Sequence, residues 1–176
     1  MMRVAYAGPA LGGRTTSLGH VLRLSGQGKD AWQIGADVHL VESRGDLTEA
    51  FVSRRRSMVV NDYVDLGDSQ LAAEIELLRG TAAVLYVVDS QVERLEANRE
   101  HLDLLRRDMA HVGVALDELP VVFQLNKRDL PNSLPVGDLV EAFRTGWCCH
   151  VESVARTGVG VVEAFEAPRK MLRERR

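Results

Sequence analysis

The run Gly8-Pro9-Ala10-Leu11-Gly12-Gly13-Arg14-Thr15-Thr16 has a glycine spacing that lets successive backbone N–H groups point toward one place. With a helix dipole behind it, such a loop can hold phosphate oxygens. The candidates for that contact are Gly8, Leu11, Gly12, Gly13, Arg14, Thr15 and Thr16. Arg14 stands where a lysine would reach over the loop as a compact point charge, and its guanidinium is a larger planar fork. Thr15 adds a hydroxyl of the kind that binds Mg²⁺ beside phosphates. The alternatives are an ordinary glycine-rich turn and an early-helix threonine.

Two further segments carry chemistry. The apolar stretch Val121-Val122-Phe123-Gln124-Leu125 ends in Asn126-Lys127-Arg128-Asp129. A carboxylate in the place of Asp129 can accept from the N1 and N2 donors of guanine, while Asn126 ties the loop and the Lys127 stem covers the base. Adenine has an acceptor at N1 and no 2-amino group, so the same site disfavours it. Such a tetrad alone also fits a solvated turn; after a phosphate loop it gains force. Downstream, Glu152-Ser153-Val154-Ala155-Arg156-Thr157-Gly158-Val159-Gly160 closes a strand and opens the last helix. Backbone groups of Val154, Ala155 and Arg156 are placed to meet the base, with the Ala155 N–H suited to the guanine carbonyl. The alternative is a plain helix N-cap by Thr157.

Positioning these residues requires alternating elements. Strands are expected near 3–7, 36–42, 57–64, 82–88, 120–126 and 147–152, and helices near 15–24, 70–79, 92–111, 136–144 and 159–174. Ala82 to Val88 is apolar throughout, as in a strand covered on both faces. In the helix from Arg94 to His111, Leu95, Leu102, Leu105 and Met109 share one stripe. The pattern predicts a three-layer α/β domain built on a doubly wound sheet of about six mostly parallel strands, with helices on both faces. No internal repeat or long linker interrupts it.

A chain of 176 residues, 45% of them hydrophobic, can bury a core without metal or disulfide support. The net charge of −3 gives no global basic field for nucleic acid. Arg54-Arg55-Arg56 and the basic C-terminal tail read as solvated faces, with membrane-surface contact by the tail as the alternative. No apolar run reaches the roughly 20 residues of a spanning helix. The N-terminus enters a strand instead of a signal sequence, and neither end carries a lipidation box. The adjacent Cys148 and Cys149 are expected as reduced thiols in a cytoplasmic protein. With His150 they are too few and too contiguous for a zinc site.

Phosphate loop, Asn-Lys-x-Asp tetrad and Ser-x-Ala segment, in this order, resemble the Ras-like small GTPases. Finer detail is similar to the bacterial cell-polarity GTPases of the MglA type. The closer match is carried by Gly8 to Gly13, Val88-Asp89-Ser90-Gln91, Arg94-Leu95-Glu96-Ala97-Asn98, Leu119-Pro120-Val121, Gln124 to Asn132 and Thr157-Gly158-Val159-Gly160. It is good from Arg3 to about Leu24 and from about Leu77 onward, and poor from Ser25 to Glu76. The resemblance implies a P-loop NTPase fold with residues 1–176 as one small G domain, GTP or GDP with Mg²⁺ as ligands, and a cytoplasmic regulatory role. It further implies a partner of the roadblock type, for which the patch at Val59, Val60 and Arg54 to Arg56 is the expected surface.

Departures from the family lie in its switch segments. The family's Asp-x-x-Gly-Gln pattern, already relaxed at the Asp in the MglA branch, maps here to Val64, Gly67 and Asp68. A carboxylate at Asp68 repels a γ-phosphate and lacks the amide's paired donor and acceptor. Gln70 is a nearby substitute or a surface glutamine, and Asp65 is a displaced Mg²⁺ contact in one reading. Thr48 is the sole threonine available as a γ-phosphate sensor in its segment. Arg54, Arg55 or Arg56 is an in-cis arginine for a transition state, or else an exposed edge. Base and loop features persist while those for γ-phosphate sensing are scrambled, which favours nucleotide binding with poor or absent hydrolysis. The alternative is a pseudo-GTPase scaffold that works through protein contacts. A small-molecule kinase or ATPase leaves the tetrad unexplained and lacks a lid segment.

Overall fold

Alternation along the first strand divides the protein into layers. In a computed structural model that describes residues 3–24, 40–43, 50–53, 57–60, 63–66, 78, 81–146 and 148–174, β1 (Arg3–Ala7) sends Val4 and Tyr6 into one core and Ala5 and Ala7 into another. The next elements in chain order are α1 (Arg14–Leu24), β2 (Leu40–Ser43), β3 (Ala50–Ser53), β4 (Ser57–Val60) and β5 (Tyr63–Leu66). They are followed by β6 (Thr81–Asp89), α2 (Leu95–His111), β7 (Val121–Asn126), α3 (Val136–Phe143), β8 (Cys149–Glu152) and α4 (Val161–Glu174).

The main sheet has six strands in the order β4-β5-β1-β6-β7-β8, parallel at every pairing except β4 with β5. Parallel strands need crossovers, and the helices that supply them cover both faces. On one face Leu18 and Val21 of α1 and Val161, Ala164 and Phe165 of α4 pack on Tyr6, Leu85, Val87 and Val122. On the other, Leu102, Leu105 and Met109 of α2 and Leu139 and Phe143 of α3 pack on Val84, Tyr86, Val88, Phe123 and Leu125. Each fully buried side chain of this kind contributes about 1.5–3 kcal/mol. Tyr6 meets Phe165 with ring centroids 5.0 Å apart, and Tyr86 meets Phe123 at 5.6 Å.

The doubly wound class is as expected, but two strands are rearranged. The single strand expected over 57–64 is an antiparallel hairpin, with Val60 opposite Tyr63 and Ser57 opposite Leu66. The strand expected over 36–42 is found at Leu40–Ser43, paired with the unforeseen β3 in a separate two-stranded sheet. Isolated four-residue strands give too short an alternation for periodicity to register them. The helix expected over 92–111 opens as a 3₁₀ turn, Val92–Arg94. Most of the helix expected near 70–79 lies outside the described residues.

Candidate functional site

The loop Gly8–Gly13 joins the carboxyl end of β1 to the start of α1, and the tetrad follows the carboxyl end of β7. Crevices at these strand ends are where open α/β sheets bind ligands. Gly8 is required by close approach, because a Cβ there would lie 2.5 Å from the Val87 carbonyl oxygen. Gly13 has φ +102°, and an added Cβ would collide with Asn126 Nδ2. Leu11 adopts φ +63° and is 83% exposed at the tip. The loop closes on itself through Gly12 N–H to Pro9 O at 3.1 Å, so that amide is committed within the protein.

Asn126 binds the two halves of the site together. Its Nδ2 donates to the Gly12 carbonyl at 2.7 Å, and its Oδ1 accepts from Ala155 N–H at 2.9 Å and from Ser153 Oγ at 3.2 Å. Behind it the buried Gln124 donates to Ser17 Oγ and Ser153 Oγ, both at 3.0 Å, joining α1, β7 and the end of β8. Arg128 pins the tetrad from outside, donating to Glu152 Oε2 at 2.8 Å and to the Leu134 carbonyl at 2.6 Å.

These residues frame a cleft of about 390 Å³, lined by Leu11, Gly13, Thr16, Asn126, Lys127, Asp129, Leu130, Ala155 and Arg156. Its chemistry is that of a heterocycle site: a carboxylate at one end, apolar and amide surface on the walls. Asp129 Oδ2 accepts from the exposed Arg156 guanidinium at 3.1 Å, which leaves the carboxylate further acceptor positions. The Ala155 amide, read from the sequence as a donor to the base, is already engaged by Asn126, so a carbonyl would have to share it. Thr157 does not cap the last helix. Its hydroxyl donates to the Val154 carbonyl at 3.2 Å in a turn, and α4 begins only at Val161.

Lys127 enters this site in the left-handed region, at φ +65°. Its Nζ donates to Asp89 Oδ2 at 2.6 Å and to Gln91 Oε1 at 3.2 Å. Asp89 is fully buried at the end of β6. Arg94 Nε lies 3.6 Å from the same Oδ2, and Arg94 Nη2 donates to the Ala10 carbonyl at 2.8 Å. Asn98 clamps the strand end through Asp89 N–H and Asp89 O, both at 2.9 Å. The resemblance singled out these residues without giving them a task. An acid ending a wholly apolar strand, with Arg and Asn at i, i+4 behind it, was the available signal.

Arg14 is buried, with 9% exposure, and its guanidinium is near enough to the Tyr86 hydroxyl to oppose part of the burial that raises that phenol's pKa. Thr15 and Thr16 are exposed in the first turn of α1. Among the described residues no cluster of three His, Cys, Asp or Glu side chains forms. An exposed hydroxyl beside a phosphate cradle suits Mg²⁺ held largely by phosphate oxygens, since this ion is ordinarily bound through few protein ligands. Val64 and Asp65 lie in β5, opposite Ala5 and Tyr6 of β1. Thr48, Arg54, Arg55, Arg56, Gly67, Asp68 and Gln70 lie outside the described residues.

A glycine loop before a helix and a cleft tied to it through Asn126, both at the carboxyl edge of a doubly wound sheet, fit the class of a small G domain of the P-loop type. No protein-family model matches the chain. It is 31% identical over 179 residues to the mutual gliding-motility protein MglA of Myxococcus xanthus (strain DK1622), with 97% of this chain and 89% of that protein covered. The chain belongs to the MglA family of small GTPases, which are GTP-binding regulators.

Proposed function

We propose that the protein is a guanine nucleotide-binding regulator of the MglA type with weak or absent intrinsic hydrolysis. One observation carries the reading: Asn126 simultaneously holds the phosphate loop at Gly12 and the base cleft at Ala155. In this arrangement Asp129 accepts from guanine N1 and N2, Lys127 and Leu11 cover the ring, and Thr16 lines the far wall. Loop amides and Arg14 face the phosphates, and Thr15 contributes a hydroxyl to Mg²⁺. Bound Mg²⁺ would supply charge neutralisation between the phosphates; the chain's own residues orient base and loop. The reading takes residues 1–176 as one G domain acting in the cytoplasm. Among the described residues no helix is long and apolar enough to cross a membrane.

Low turnover follows from chemistry at the switch. Asp68 occupies the place of the water-orienting glutamine, and Gln70 and Arg54 are the remaining catalytic candidates. A role in cell polarity is the biological form of this proposal, supported by membership of the family; a roadblock-type partner extends it on the sequence resemblance alone. The burial of Arg14 favours a second reading, a pseudo-GTPase scaffold that binds no nucleotide, because a buried arginine with a bulky planar fork fits a phosphate cradle less well than a lysine.

Calorimetric titration of nucleotide-stripped protein with GTP and Mg²⁺, against ATP, separates the two. Saturable GTP binding without an ATP signal is the expected result. No heat with either, repeated by fluorescent-nucleotide binding, would leave the scaffold.

A further inference from the structure

Asp89 is a fully buried carboxylate with two cations on one oxygen, Lys127 Nζ at 2.6 Å and Arg94 Nε at 3.6 Å. The two cations serve different halves of the site. Lys127 lines the base cleft, and Arg94 continues past Asp89 to hold the Ala10 carbonyl of the phosphate loop at 2.8 Å. Neither the comparison nor the motif chemistry assigns Asp89 a task. A buried carboxylate is retained only when paired, and its pairing geometry dictates where its partners stand. Here Asn98 fixes the carboxylate's own backbone from both sides, and Gln91 N–H adds a contact to Asp89 Oδ1 at 3.3 Å.

We infer that Asp89 is a positioning residue that couples the base cleft to the phosphate loop, by holding Lys127 on one side and, through Arg94, Ala10 on the other. Lys127 sits in a left-handed backbone conformation that non-glycine residues adopt only when held. Asp89 and Gln91 hold its far end, so the stem is drawn along the cleft wall instead of sweeping solvent. The inference rests on the nucleotide reading of that cleft and adds the charge that sets its geometry.

A double-mutant cycle tests it. GDP affinity, with ATP as control, is measured for the full chain as wild type, Asp89→Asn, Lys127→Met and the double variant, with thermal melts alongside. Each single change is expected to weaken GDP by at least about tenfold, as for loss of one partner of a desolvated charge pair. The double variant should lose far less than the product of the two. A second cycle covers poor folding of Asp89→Asn: Arg94→Met with Lys127→Met. Joined through Asp89, these residues should depart from multiplicative losses by more than about threefold. Wild-type GDP binding with losses that multiply in both cycles would overturn the inference alone. A wild type that binds neither GDP nor GTP would overturn the nucleotide reading and the inference with it.

Discussion

Arg14 concentrates the functional question in a single side chain. A lysine ammonium is a compact charge able to arch over a glycine loop, whereas Arg14 carries a larger planar fork and is only 9% exposed as a residue. Losing one charge-assisted phosphate contact costs about 1.5–3 kcal/mol, or roughly ten- to a hundredfold in affinity. Arg14→Lys should therefore tighten GDP and GTP by up to about that factor, measured by calorimetry. Asp129→Asn should do the reverse for guanine alone, because an amide cannot accept from both N1 and N2 as the carboxylate does. If neither substitution moves affinity, the pocket is empty in solution. The tying role of Asn126 was legible from the tetrad itself. Asp89 was not, because its task depends on two cations from other elements.

β8, with the residue that precedes it, carries a pH response. Burial pushes the Cys148 thiol up to about 11, with the nearby Asp117 adding to the effect, and lowers the His150 imidazole below its ordinary 6.5. His150 is packed on Phe123 and bonded to the Thr145 hydroxyl at 2.9 Å. Both groups are preferred neutral in the folded protein. The Cys148 contribution is fully present below its ordinary 9.0 and lost as pH rises toward about 11. The His150 contribution is present above 6.5 and lost as pH falls through the lower folded value. Stability in urea should thus fall on both sides of a plateau from about pH 6.5 to 9, the alkaline limb shallower in Cys148→Ala. Cys148 should also react with a disulfide reagent at pH 8 more slowly than a free thiol, for want of thiolate. An alkaline limb unchanged in the variant would assign it elsewhere.

For the molecule as a whole, the base cleft and loop occupy one end of the sheet, tied by buried polar groups, whereas the sequence departs from the family between Ser25 and Glu76. On the proposed function, this division suits a nucleotide that holds a surface for partners more than it is turned over. Charge reversal of Arg54, Arg55 and Arg56 together should abolish binding to a roadblock-type partner, read by pull-down and calorimetry, while leaving GDP affinity within about threefold. Retained partner binding would remove that patch from the interface. Single-turnover GTP hydrolysis at the rate of an activated GTPase, by the protein alone, would contradict the assignment of Asp68 to the glutamine's place.

Local chemistry and periodicity are written along the chain, so the sequence by itself determined the sandwich of helices on a parallel sheet and the placing of the Gly8–Gly13 loop and the Asn126–Asp129 tetrad at its strand ends. Strand 82–88 was legible because burial on both faces makes it continuously apolar, and 120–126 because its apolar run is broken only by the buried, hydrogen-bonded Gln124 and Asn126, as found in β6 and β7. What only the tertiary structure decided are relations between distant residues. These are the antiparallel pairing of β4 with β5 at the sheet edge, the burial of Arg14, and the Ala155 amide already engaged by Asn126. Above all it placed Asp89 between Lys127 and Arg94. A residue's type states which bonds it can make, but packing brings together partners 38 positions apart and so selects which ones it does make.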